Sequence, residues 1–217
     1  MLNSDMIKDK DRTFSEKQIH LIKTSEKLFA EVGYAETSLR IIAKESRMNS
    51  AMVSYYFGSK EKLMQAILEY RTINMAKVFN AYDELAEDPL NTILFLLDLY
   101  VDKIFEQKYF YRLLFQLQST LKDESVMEHF NNMRLRNFKV LINVFQHGAE
   151  KGEFKSDIDT TFLLSTIYGS LNAMIFNKDY YRKVNGFDTL SDEDYVKLFK
   201  KRAKAHIRDI VLAIIKK

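Results

Sequence analysis

Residues Leu28 to Leu63 read LFAEVGYAETSLRIIAKESRMNSAMVSYYFGSKEKL, and this stretch decides the fold. Thr37 and Ser38 offer N-cap oxygens to a short helix over about 39–46. Asn49 or Ser50 can cap a second short helix ending near Phe57. Gly58 then breaks the chain, and Ser59 caps a longer helix opening Lys60-Glu61-Lys62-Leu63 and reaching about Phe79. Upstream, Gly33 follows a periodic run from Glu16 to Val32 in which Ile19, Ile22, Phe29 and Val32 fall near one face. A glycine there suits the position after a helix that needs a positive φ. Two helices of about eight residues joined by a tight turn, behind a longer one, make a helix-turn-helix pattern. Neither short helix buries enough surface alone, so the first and fourth helices must complete the core.

Within that pattern the side chains sort by size and charge. Ala43 is small where the second and third helices cross, and Val53 and Phe57, four residues apart, face inward. Ser50, Ala51, Ser54 and Tyr55 are left outward. Short side chains on an exposed helix allow deep entry into the DNA major groove. From Thr37 to Lys62 there are five basic residues (Arg40, Lys44, Arg47, Lys60, Lys62) and two acidic ones (Glu45, Glu61). That local excess of three equals the net charge of the whole chain, +3, so the positive charge is concentrated where a phosphate backbone would lie.

The rest of the chain extends the helical reading. Among 217 residues there are six Gly, one Pro and no Cys. Such scarcity of turn formers argues against β-sandwiches, barrels and Gly-rich nucleotide folds. The lack of Cys excludes disulfides, Cys-ligated zinc and thiol nucleophiles. With 47% hydrophobic and 29% charged residues the chain is not disordered. Pro89 fits the first turn of a helix reaching Gln107, and further helices follow over about 109–121 and 125–151, the latter ended by Gly152. Another spans about 158–177, residues 178–190 read as a loop containing Gly186, and Ser191 with Asp194 resembles a capping box for a last helix to about Ile215. The uncharged run Thr160–Asn177 has the length of a membrane span, but its Thr, Ser, Gly and Asn residues favour a buried helix. The polar start of the chain has no signal-peptide core, so a cytoplasmic protein without membrane contact is expected.

The motifs resemble those of the TetR-type transcriptional regulators. LFAEVG with Tyr34 and Thr37-Ser38, IIAKESRMN at Ile41–Asn49, and YYFGSKEKL at Tyr55–Leu63 follow that family's pattern in order and spacing. The likeness covers about Ile19 to Leu68. It implies an all-α protein with three parts: an N-terminal arm over 1–14, a helix-turn-helix DNA-binding domain over 15–75, and a ligand-binding and dimerisation bundle over 76–217. It also implies roles for double-stranded DNA contact. Lys60 falls at the family's phosphate-contacting lysine, and Tyr55 and Tyr56 at groove-facing or backbone-contacting aromatics. Ser38 falls at a helix-start hydroxyl that meets a phosphate, and Arg40 at a position that reaches base or phosphate. Asn49, Ser50, Ala51 and Met52 form the leading end of the recognition helix. The chain departs from the pattern at Arg47, where the family has a turn glycine, and at Ser54, where it often has a tyrosine.

The same resemblance implies a homodimer that represses transcription and responds to a small effector, with no cofactor or metal. Ser165, Gly169 and Ala173 recur at four-residue steps and allow close helix approach. With Phe199, Ile207 and Ile210 of the last helix they are the expected dimer contacts; packing within one chain is the alternative. Two recognition helices about 34 Å apart would read a palindrome. Aromatics are dense between Pro89 and Lys151, and Tyr100, Phe115, Gln118, Met133 and Tyr168 are candidates to line an effector cavity, for an apolar or aromatic ligand. The four His are scattered, and no HExxH, GxSxG, P-loop or GxGxxG pattern occurs, so an enzyme is not expected. The rival reading is a helical adaptor whose helix-turn-helix binds protein; a steep salt dependence of DNA binding separates the two.

Overall fold

The computed structural model describes residues 14–80, 88–120 and 123–215, with the side chains of 72–80 and 118–120 outside that description. The expected N-terminal arm therefore lies outside the described residues except for Phe14. Among the described residues the chain forms ten helices and no strand. They are α1 (Glu16–Glu31), α2 (Leu39–Glu45), α3 (Ser50–Phe57), α4 (Lys60–Asn80), α5 (Pro89–Glu106), α6 (Lys108–Thr120), α7 (Glu124–Glu150), α8 (Thr160–Phe176), α9 (Lys178–Val184) and α10 (Asp192–Ile215). None of the described helices is long and apolar enough to cross a membrane.

Local chemistry explains where the helices begin. Ser15 and Gln18 form a reciprocal capping box at α1: the Gln18 N–H donates to Ser15 Oγ and the Ser15 N–H to Gln18 Oε1. Asp88 caps α5 by accepting from the Asn91 N–H, and Pro89 occupies the first turn, where a missing N–H costs nothing. At α10 the Ser191 hydroxyl accepts from the Asp194 N–H and donates to the Asp194 carboxylate.

The chain divides into two compact units, one of residues 1–75 with 109–133 and one of 76–108 with 134–217. Residues 109–133, expected in the second domain, belong to the first unit. The reason is burial. Phe110, Leu113, Leu114 and Leu117 of α6 and Val126, Phe130 and Met133 of α7 share one core with Leu21, Ile22 and Phe29 of α1 and Leu63, Met64 and Ile67 of α4. Each such side chain contributes about 1.5–3 kcal/mol when removed from water. Inside this core Arg71 grips Glu26 with two hydrogen bonds of 2.6 and 2.7 Å, Glu26 being only 3% exposed. The same guanidinium lies 5.5 Å from the Tyr70 ring and 5.9 Å from Phe110.

In the second unit α10 lies against α5. Tyr195, Phe199, Ala203, Ile207, Val211 and Ile215 are buried on one α10 face, and Ile93, Leu97, Val101 and Ile104 on α5. Ion pairs flank the seam, with Asp98 on Arg208 and Asp102 on Lys200 and Lys204. Burial works against the Asp102 charge, yet hydrogen bonds from Lys204 and Lys200 hold its carboxyl below the usual carboxylate range.

One expectation needs correction here. The stretch expected as a loop, 178–190, contains α9, a helix with no buried residue. It is held instead by Lys178 and Arg182 on Asp192 (2.9 and 2.6 Å) and by Arg182 on the Leu190 carbonyl, so apolar periodicity carried no sign of it. Gly148 lies within α7, and a Cβ built there would sit 2.2 Å from Phe154 Cδ2. The absence of a side chain lets the Phe154 ring, 2% exposed, close onto α7.

Candidate nucleic-acid interface

The helix-turn-helix is assembled from short-range bonds. The Ser38 hydroxyl accepts from the Ile41 N–H at the start of α2. The turn after α2 closes through Met48 N–H to the Ala43 carbonyl at 2.9 Å and Arg47 N–H to the Lys44 carbonyl at 3.2 Å. Asn49 Oδ1 then accepts from the Ala51 N–H and starts α3. Ala43 is buried at the crossing, and Val53 and Phe57 are the buried residues of α3. Arg47 has φ 54°, the left-handed value that its usual glycine would adopt freely.

The outward side of α3 presents Ser50, Ala51, Ser54 and Tyr55, all exposed, with Met52 and Tyr56 half-buried. Tyr55 is 84% exposed and its ring meets the edge of Tyr56 at 5.4 Å. Tyr56 packs against the core and braces the Tyr55 ring. Ser38, Arg40, Lys44, Arg47, Asn49 and Lys62 are exposed as well. The surface thus combines small polar side chains, one protruding aromatic ring and unburied cations, which suits a groove edged by phosphates.

Lys60 is placed differently from a free surface lysine. Its ammonium donates to the Tyr34 carbonyl at 2.9 Å and the Ala35 carbonyl at 3.4 Å, and lies 4.3 Å from the centre of the Tyr34 ring. Burial, followed by the neighbouring negative charge of Glu61, pushes the Tyr34 hydroxyl well above the usual phenol range. Glu61 is held below the usual carboxylate range, first by its hydrogen bond with Ser59 and then by one to its own backbone. Tyr34 and its partners escaped the sequence reading, although Tyr34 stands inside the quoted motif. His20 was also passed over: its Nε2 meets the Ser46 carbonyl at 3.0 Å and braces α1 against the end of α2.

The other expected residues separate into several places. Ser165, Gly169 and Ala173 form an exposed stripe on α8, beside Phe162 at 75% exposure and Phe176 at 38%. Phe199 and Ile207, expected as dimer contacts, are instead core residues of their own chain at 3% and 2% exposure, while Ile210 is half-buried. The α10 face that carries them packs on α5, where Phe199 meets the Phe105 ring at 5.3 Å. Of the effector candidates, Tyr100 and Tyr168 stack at 6.4 Å. Met133 is buried in the first unit's core and Phe115 is 47% exposed; the Gln118 side chain lies outside the described residues. A hollow of about 250 Å³ opens between α8, α9 and α10, lined by Met174, Tyr181, Arg202 and His206 among others, and none of Tyr100, Phe115, Met133 and Tyr168 lines it. Among the described residues no group of three or more His, Asp or Glu could hold a metal ion.

Comparison with known proteins bears on this surface. Residues 21–67 match the model of bacterial regulatory proteins of the tetR family. The chain is 26% identical over 166 residues to the HTH-type transcriptional regulator YerO of Bacillus subtilis, which covers 75% of this chain and 57% of YerO. It is 26% identical over 200 residues to the HTH-type transcriptional repressor NicS of Pseudomonas putida, covering 86% of this chain and 84% of NicS. A TetR transcription regulator from Haloarcula marismortui superposes with a TM-score of 0.66 at 21% identity, covering 94% of this chain and all of that one.

Proposed function

We propose that the chain, whose residues 21–67 match the model of the tetR family of bacterial regulatory proteins, is a DNA-binding regulator of that family acting as a homodimeric repressor. It binds a palindromic operator and is released by a small apolar or aromatic effector. The observation that carries the reading is the exposed face of α3, with short side chains and Tyr55 projecting from buried Val53 and Phe57. Arg40, Lys44, Arg47, Lys60 and Lys62 surround it with an excess of positive charge. The residues proposed to meet DNA are Ser38, Arg40, Asn49, Ser50, Ala51, Met52, Tyr55, Tyr56 and Lys60.

A single recognition helix reads only a few base pairs, so specificity needs two heads about 34 Å apart. The exposed Ser165, Gly169 and Ala173 stripe supports a two-fold contact, because small residues let two helices approach closely and the neighbouring Phe162 supplies apolar area. The stacked Tyr100 and Tyr168 are the best-supported place for an effector to touch. Repression as the outcome is favoured by the name of NicS and by the simplest use of such a head, which is to occupy an operator.

The test is selection of bound duplexes from a random pool by the full chain. An enriched inverted repeat, with half-sites about one helical turn apart, is the expected result. Recovery of duplexes with no shared sequence, or a binding constant insensitive to salt, would refute the reading and favour the adaptor.

A further inference from the structure

The contacts around Lys60 carry one step more. Its ammonium has three N–H donors. Two are on the Tyr34 and Ala35 carbonyls, and the charge lies over the Tyr34 ring. The Tyr34 carbonyl also accepts from the Thr37 N–H at 3.4 Å, and the Thr37 hydroxyl donates to the Gly33 carbonyl at 2.7 Å. Tyr34 therefore joins the turn that leads into α2 to the first residue of α4. Its ring is fixed edge-on to buried Phe29 at 5.1 Å, and its hydroxyl donates to Glu61 at 3.4 Å. A lysine on four methylenes samples many rotamers, and holding it in one geometry costs entropy at the moment of binding. Here that entropy is surrendered on folding, because ring and carbonyls define the ammonium's place before DNA arrives.

We propose that Tyr34 is a positioning residue for DNA binding: its ring and carbonyl hold the Lys60 ammonium at the start of α4, with one donor left for a phosphate oxygen. The same residue keeps the Glu61 carboxylate, the adjacent negative charge, turned onto its own hydroxyl rather than toward the incoming phosphate. The inference rests on the reading that Lys60 meets DNA.

The experiment uses the full chain and a fluorescein-labelled random-sequence duplex of about 30 base pairs, long enough for two heads. Anisotropy titrations at several salt concentrations compare wild type with Lys60→Ala, Tyr34→Leu and Tyr34→Phe. Lys60→Ala reports on the underlying reading: the salt slope should fall by about 0.9 per subunit. Tyr34→Leu leaves the lysine charged, so the slope should stay while Kd rises about tenfold for two heads. Tyr34→Phe keeps the ring and should rescue most of that loss. Wild-type affinity in Tyr34→Leu, or equal losses in Phe and Leu, overturns the positioning role. An unchanged slope in Lys60→Ala overturns the phosphate reading beneath it. A measurement free of variants guards against misfolding: in the wild-type protein the Lys60 ε-methylene protons should be shifted upfield by the Tyr34 ring. Random-coil shifts there would overturn the proposal.

Discussion

Arg47→Gly should make this protein more stable while weakening its hold on DNA. Arg47 has φ 54°, and an L-residue in that region costs about 1–2 kcal/mol that glycine does not incur. Glycine returns part of this through its greater freedom in the unfolded chain, about 0.5–1 kcal/mol. The Arg47 side chain is exposed and makes no hydrogen bond or ion pair among the described residues, and its N–H bond to the Lys44 carbonyl survives the change. The net gain is therefore close to 1 kcal/mol, which for a chain of this size raises Tm by about 2–4 °C. Arg47→Ala is the control. It removes the same charge but keeps the Cβ, so it should melt within about 1 °C of wild type. Calorimetry with reversible scans measures the difference between the two variants. In salt titrations with duplex DNA both should lose the same slope, about 0.9 per subunit, since both lose the guanidinium. If Arg47→Gly is no more stable than Arg47→Ala, the turn stores no left-handed strain and the argument fails. If neither variant changes the slope, Arg47 does not face phosphate.

Other perturbations test other parts of the molecule. Gly148→Ala gains about 1 kcal/mol of helix propensity, but its Cβ would press on Phe154 at 2.2 Å, so a net loss near 2 kcal/mol in urea unfolding is expected; a more stable variant would show that the ring gives way freely. Glu26→Gln should cost about 3 kcal/mol by leaving Arg71 without its charged partner in a buried setting, whereas Glu26→Leu with Arg71→Met should cost far less. Equal losses in the single and double variants would mean the pair is not coupled. Gly169→Leu, whose side chain would stand in the path of a second helix approaching this stripe, should lower the dimer fraction in analytical ultracentrifugation. A dimer unaffected by leucine would move the contact away from this stripe.

Much of the first unit was legible in the chain because its signals are local. A helix start is favoured by a Ser, Asn or Asp within three residues of the N–H it accepts from, and Ser38, Asn49 and Ser59 all do this. The inward pair Val53 and Phe57 follows from spacing alone, and the strained turn was visible as Arg47 standing in place of a glycine. The residues proposed to meet DNA lie within one contiguous stretch, so their nearness in space follows from the same local signals, while their roles came from the family resemblance.

What the chain left open is how faces pair when more than one is apolar. On α10, steps of four from Tyr195 reach Val211 and Ile215, yet Ile210 and Ile214 offer a second ridge one position earlier. Only the presence of α5, with Asp98 and Asp102 catching Arg208, Lys200 and Lys204, decides that the first ridge, Phe199 and Ile207 included, is buried within its own chain. The same holds for residues 109–133, for Arg71 finding Glu26 forty-five positions away, and for Lys60 settling on Tyr34. Capping and turn formation are set by neighbours along the chain, so the sequence by itself determined an all-helical protein with a helix-turn-helix head. Burial and ion pairing depend on which surfaces meet in space, and those the tertiary structure alone decided.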